Sequence, residues 1–250
     1  MICTWDVTIP PLSGDKTRRG YIYLPDAYQT DPNRRFPVLY MFDGHNVFFD
    51  GDAAFGKSWG MNRYMSRTKK PLIIVAIECN QQGGRLSEYS PVSFENESLG
   101  KVEGKGSLYM DWLVNDLKPF IDANYRTLPG RENTLVCGSS MGGLMALYAS
   151  LHYNEFFSRA ACLSPSLWVD PAQMNQMITD ANPDRDTRIY MAYGSEELNN
   201  HRENREALQS AIELIVRKRV DLGFRIVPGG SHCEASWEKQ IPIFMDWLGL

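Results

Sequence analysis

The stretch TLVCGSSMGGLMALYASL, residues Thr134 to Leu151, decides how the rest of the chain is read. Thr134 to Cys137 is a short apolar, β-preferring run, which suits a strand. From Leu144 onward, Leu144, Leu147, Tyr148 and Leu151 recur at helical spacing. The period changes over Gly138-Ser139-Ser140-Met141-Gly142, a G-x-S-x-G pattern. A serine on such a strand-to-helix turn stands clear at the carboxyl end of its strand. The glycines two positions before and after it remove side chains that would collide with strand and helix. Ser140 is therefore the candidate nucleophile.

On either side of this turn, strand and helix signals alternate. Pro37 to Phe42 (PVLYMF) and Leu72 to Glu78 (LIIVAIE) are continuous apolar runs, long enough for buried strands and too short for helices. Trp59 to Thr68 between them suits a crossover helix, so a parallel βαβ unit is expected. Tyr21 to Leu24 reads as an earlier strand, and Leu108 to Tyr125 carries an apolar helical stripe. After the turn, Ala160 to Leu163, Arg188 to Tyr193 and Phe224 to Val227 read as strands. Pro171 to Ile178, Arg205 to Arg217 and Trp237 to Leu248 read as helices. The segment from Asn80 to Gly106 has little periodicity and five glycines, so it reads as a long loop of a kind that is often functional or disordered. The alternation predicts a doubly wound, mostly parallel α/β sheet in one domain spanning residues 1–250.

Composition narrows the function. The formal charge of -4 and the mixing of acidic with basic residues leave no basic stripe, so nucleic acid is not an expected partner. No apolar run approaches the ~20 residues of a membrane span. The N-terminus MICTWDVTIP has neither a basic n-region nor an h-region, so a cytoplasmic location is expected. The five cysteines are odd in number, and three lie in or at the end of apolar runs, which suits free thiols in a reducing compartment. There is no H-E-x-x-H, no paired C-x-x-C, no Walker loop and no G-x-G-x-x-G, so neither a metal nor another cofactor is expected. Composition does not address oligomeric state.

A serine hydroxyl needs a base within reach to take its proton, and that base needs a third group to hold its tautomer. His232 lies just past the last strand in Pro228-Gly229-Gly230-Ser231-His232, where glycines let a loop carry a side chain over the sheet. It is the candidate base. Of the other three histidines, His152 sits at the far end of the helix after Ser140, His201 in a polar loop, and His45 in an early loop. The acid is expected after the strand Arg188 to Tyr193, which offers Glu196 and Glu197, in the chain order serine, acid, histidine. Attack on a carbonyl also requires donors aimed at the developing oxyanion. The backbone N–H groups of Met141 and of His45, in Asp43-Gly44-His45-Asn46, are assigned that role.

Together these residues resemble the putative-esterase family of α/β-hydrolases, which includes feruloyl and acetyl xylan esterases, trilactone siderophore esterases and S-formylglutathione hydrolases. The resemblance is carried by Tyr40 to Phe48 (YMFDGHNVF), Arg85 to Pro91 (RLSEYSP), Gly138 to Gly143, Leu163 to Trp168 (LSPSLW) and Gly229 to His232. It implies an α/β-hydrolase fold without a large cap, and hydrolysis of a small-molecule ester through an acyl-enzyme. It also implies Ser140 as nucleophile, His232 as base and, three residues after Gly194, Glu197 as acid. Arg85 and Tyr89 are expected at one wall of the pocket and Trp168 at another. Feruloyl or acetyl carbohydrate esters are the expected substrates. Trilactone siderophores, or a binding or acyl-transfer role on the same fold, are the alternatives.

Overall fold

The computed structural model describes residues 1–198 and 202–250. The sequence reading assigns nothing to the N-terminus, yet Ile2–Thr8 (β1) forms a strand, paired antiparallel along its length with Thr17–Tyr23 (β2). β1 is an edge strand with three of its seven residues exposed and none buried, so it lacks the continuous apolar run that marks the buried strands. One-turn helices follow each of the two, α1 (Pro10–Ser13) and α2 (Asp26–Thr30).

Val38–Met41 (β3) and Ile73–Ile77 (β4) pair in parallel, with helix α3 (Met61–Thr68) in the connection between them. The expected βαβ unit is therefore present. β2 closes antiparallel on the other side of β4. The segment 80–106 is more structured than its sequence suggests. It carries a one-turn helix, α4 (Arg85–Glu88), and a two-stranded hairpin, β5 (Phe94–Asn96) with β6 (Gly100–Val102).

The stripe that reads as one helix over 108–125 is α5 (Gly106–Trp112), a π turn (Leu113–Leu117) and α6 (Lys118–Asn124). Pro119 has no N–H to donate and its ring crowds the carbonyl four residues back, so the helix widens just before it. Thr134–Ser139 (β7) and Met141–His152 (α7) flank Ser140, and Arg159–Leu163 (β8), α8 (Pro171–Asp180), Arg188–Gly194 (β9) and the single turn α9 (Ser195–Leu198) follow. The chain ends with α10 (Arg202–Arg217), Asp221–Val227 (β10), α11 (Glu234–Glu238) and α12 (Ile241–Trp247). The expected closing helix is thus two helices, broken just before Pro242.

The main sheet has the order β1-β2-β4-β3-β7-β8-β9-β10, and every pairing from β4 to β10 is parallel. Alternate residues of the central strands enter two separate cores. Tyr40, Val75, Val136, Cys162 and Met191 face one, and Leu39, Ala76, Cys137, Ala161 and Tyr190 the other. Both faces are covered, as a parallel sheet requires. From β3 the chain moves first to β4 on one side and later to β7 on the other. The switch in winding direction therefore falls between β3 and β7, and a crevice opens there at the strands' carboxyl ends.

Candidate active site

Ser140 sits at that switch point with φ 58° and ψ -124°, a region side-chain-bearing residues seldom adopt. Its backbone is held on several sides. Its N–H donates to the Leu163 carbonyl at 2.9 Å, and its own carbonyl accepts from Leu144 at 3.0 Å and Ser166 at 3.1 Å. A Cβ on Gly138 would stand 2.4 Å from the backbone of Gly142, so strand end and helix start touch through their glycines. The Ser140 hydroxyl lies 3.4 Å from that of Ser166. Among the described residues no hydrogen bond joins it to His232. Such contacts are often loose before substrate binds.

The loops after β9 and β10 are stitched together. A Cβ on Gly194 would meet the Gly230 carbonyl at 2.2 Å, Glu196 N–H donates to that carbonyl at 3.0 Å, and Gly229 N–H donates to Ser195 Oγ at 2.9 Å. This contact brings Glu197 Oε2 to 2.6 Å from His232 Nδ1. The other oxygen, Oε1, accepts from Ser164 Oγ at 2.7 Å and Gly194 N–H at 2.8 Å. Burial pushes the Glu197 carboxyl up, but the hydrogen bonds from His232, Gly194 and Ser164 outweigh it and hold it below its usual value. An ionised oxygen facing Nδ1 places the ring proton there and leaves Nε2 as the acceptor. Trp237 Nε1–H donates to Ser164 Oγ at 3.0 Å, and the Trp237 ring meets the His232 ring edge-on at 5.1 Å. Sequence reasoning gave Ser164 and Trp237 no part in holding this pair.

Across the crevice, Gly44–Asn46 forms a single 3-10 turn. Its ladder begins with Asn46 N–H donating to Asp43 at 2.8 Å, which leaves the preceding N–H of His45 outside it. Met141 is the first residue of α7, so its N–H likewise has no acceptor within its helix. The His45 imidazole is buried, its Nδ1 has no hydrogen-bond partner among the described residues, and burial lowers its pKa. Asp43, His45 and Cys79 bring one potential metal ligand each within 4.8 Å of one another. However, Arg85 engages both oxygens of Asp43 at 2.7 Å, and burial drives the Cys79 thiol far above its ordinary value. A guanidinium already stands where a cation's charge would be, so this donor set does not fit a metal.

His232 lies between two cavities. One of about 690 Å³ is lined by Ser140, His45, Arg85, Phe55 and Trp237, and another of about 290 Å³ by Trp168, Tyr193 and Ser164. Of the expected substrate contacts, Arg85 reaches the first cavity and Trp168 the second. Tyr89 reaches neither, which corrects the sequence reading. It is fully buried, its hydroxyl accepts from the Asp43 N–H at 3.2 Å, and its ring packs between Phe42 and Tyr109. Tyr89 caps the one-turn helix on the same face as Arg85, whose guanidinium lies 5.5 Å from the Tyr89 ring centroid. His152 is remote, its Nε2 2.9 Å from the Met177 carbonyl, and His201 lies outside the described residues.

A mixed sheet wound this way, with a serine on a tight turn after a central strand, defines an α/β-hydrolase. Residues 13–245 match the family described as Putative esterase, and the chain belongs to that family, as a carboxylic ester hydrolase. It is 25% identical over 240 residues to the uncharacterized protein YbbA of Bacillus subtilis (strain 168), covering 92% of each chain. Among solved structures it is similar to an IroE-like serine hydrolase from Shewanella oneidensis, with a TM-score of 0.74 and 19% identity over 99% of this chain and 79% of that one. It is also similar to a ferulic acid esterase, with a TM-score of 0.71 and 16% identity over 100% and 96% of the two chains. No helix among the described residues is long and apolar enough to cross a membrane.

Proposed function

We propose that the chain hydrolyses small carboxylic esters through an acyl-enzyme on Ser140, with His232 as general base and acid and Glu197 as its orienting carboxylate. The observation that carries this reading is the 2.6 Å bond from His232 Nδ1 to a carboxylate whose other oxygen is fixed by two further donors. Ser140 Oγ attacks the ester carbon as its proton passes to His232 Nε2, and the carbonyl oxygen becomes an oxyanion facing the N–H groups of Met141 and His45. The intermediate collapses by expelling the alcohol, which takes the proton from His232. Water repeats the sequence on the acyl-enzyme, releasing the acid and restoring Ser140. Glu197 stays ionised throughout and stabilises the imidazolium.

The larger cavity favours a neutral, aromatic group. Its only arginine is neutralised by Asp43, Glu234 adds an acid to its wall, and Phe55, 84% exposed, stands on the same wall. A polyanionic ferric siderophore would find no free cation among these residues, whereas a feruloyl group would find an apolar wall and an aromatic face. Feruloyl esters are therefore the proposed substrate class, in keeping with the name of the similar ferulic acid esterase.

The test compares wild type with Ser140→Ala on 4-nitrophenyl acetate, methyl ferulate and a trilactone siderophore. Ser140→Ala should lower kcat by about 10³-fold or more, because binding and the oxyanion donors alone remain. Near-normal turnover by a clean Ser140→Ala preparation would refute the assignment. Faster hydrolysis of the trilactone than of the ferulate would replace the substrate class.

A further inference from the structure

The segment Arg85-Leu86-Ser87-Glu88-Tyr89 belongs to the family resemblance, yet the mechanism gives it no task. We propose that it is a clamp that aims the His45 N–H at the oxyanion, with Arg85 as a positioning residue and not a substrate contact. The inference rests on the hydrolase reading above, in which that N–H is a donor.

The argument begins at Asp43. This residue ends the path from β3 into the turn, and it is held at φ 56° and ψ 55°. The left-handed region is unfavourable for a side-chain-bearing residue, and it persists only where the surroundings impose it. Three contacts do so. Arg85 Nε donates to Asp43 Oδ1 and Arg85 Nη2 to Oδ2, both at 2.7 Å, a two-pronged grip that fixes the carboxylate's plane. Tyr89 Oη accepts from the Asp43 N–H at 3.2 Å. Behind the turn there is no slack, since a Cβ on Gly44 would lie 2.8 Å from the backbone of Ile77. The Asp43 and Gly44 dihedrals fix where the His45 N–H points, so these contacts set the donor's direction.

The clamp is itself anchored to the sheet. Glu88 is 2% exposed, and its Oε1 accepts from Arg18 Nη1 of β2 at 2.8 Å and from Asn80 N–H at 2.5 Å. The Tyr89 ring packs edge-to-face on Phe42 at 5.1 Å and on Tyr109 at 5.2 Å. A one-turn helix therefore sends Arg85 to the turn, Glu88 to β2 and the Tyr89 ring into the core. The same contacts explain why Arg85 is a poor substrate contact: the fork it would offer a ligand is already engaged with Asp43.

Three variants isolate the parts. Arg85→Lys keeps the charge and loses the fork. Asp43→Asn keeps a residue that tolerates the left-handed region and loses the charge. Tyr89→Phe removes only the hydroxyl. Each is assayed on 4-nitrophenyl acetate for kcat and KM, and for binding of an aryl trifluoromethyl ketone, which Ser140 converts into a tetrahedral adduct. A donor misplaced by about 1 Å can cost about 10²-fold. Arg85→Lys and Asp43→Asn should therefore lower kcat by about 10-fold or more with KM within about 2-fold, and weaken the ketone by the same factor as kcat/KM. The double variant should be no worse than the worse single one, because the two residues act as a unit. Tyr89→Phe should shift kcat in the same direction, and it decides the matter should Arg85→Lys not fold. Unchanged kcat, a loss confined to KM, or unaltered ketone affinity in folded variants overturns the clamp while leaving the hydrolase standing. A wild type that neither hydrolyses the ester nor binds the ketone overturns both.

Discussion

Glu196 and Glu197 are neighbours of identical chemistry with opposite surroundings. Glu196 is exposed, and its carboxylate accepts from Ser195 Oγ at 3.3 Å. Glu197 has a side chain 9% exposed and three partners, Ser164 Oγ, Gly194 N–H and the His232 ring. The strand-to-helix turn points successive side chains apart, so one alone can face the histidine. Glu197→Gln should therefore lower kcat by orders of magnitude, up to about 10⁴-fold, with KM little changed, because an amide can present its N–H to Nδ1 and impose the wrong tautomer. Glu196→Gln should be mild. Steady-state kinetics on 4-nitrophenyl acetate separate the two, and equal losses would mean that neither glutamate orients the base.

The strand, turn and helix around Ser140 behave as one element because their backbones are in contact. A methyl group on Gly138 would have to displace the Gly142 backbone, which α7 holds, and not a movable side chain. Gly138→Ala should destabilise the protein by ~1–3 kcal/mol through overpacking and lower kcat at the same time, since any relief moves Ser140. Urea unfolding and an ester assay on the same preparation test this. Full stability with full activity would show that β7 and α7 can part without cost. The same logic explains the helices that the sequence joins and the structure divides: Pro119 and Pro242 each remove a donor inside an apolar stripe that otherwise continues.

At the scale of the whole molecule, the parallel sheet gathers residues far apart in sequence at one crevice, and their ionisation couples to folding. Burial raises the Asp43 carboxyl, but the charge and hydrogen bonds of Arg85 outweigh it and hold the group below its ordinary 3.8. A carboxyl lowered in the folded state favours folding above its unfolded value, and that contribution disappears as pH falls through the folded value. The stability difference between wild type and Asp43→Asn should then be full at about pH 7 and shrink as pH is lowered below about 4. Urea midpoints across this range measure it. A difference that stays constant down to about pH 3 would show that the Asp43 charge contributes nothing to folding.

The sequence by itself determined the alternation of strands and helices, the parallel core and the turn that carries Ser140, because apolar periodicity and a glycine-spaced serine are local signals. It also determined that His232 and a glutamate after β9 were the polar residues available at the right strand ends. Which glutamate turns inward was open in the residues themselves and narrowed to Glu197 only through the family resemblance. Only the tertiary structure decided what Arg85 and Tyr89 touch. Their partner Asp43 lies 42 and 46 residues away on another strand end, and no local pattern records a contact made across a sheet. The edge strand β1 escaped notice for a related reason. Its hydrogen bonds come from β2, and the solvent on its open side lets its residues be half polar. Short-range chemistry thus wrote the elements, while the winding of the sheet chose which side chains meet.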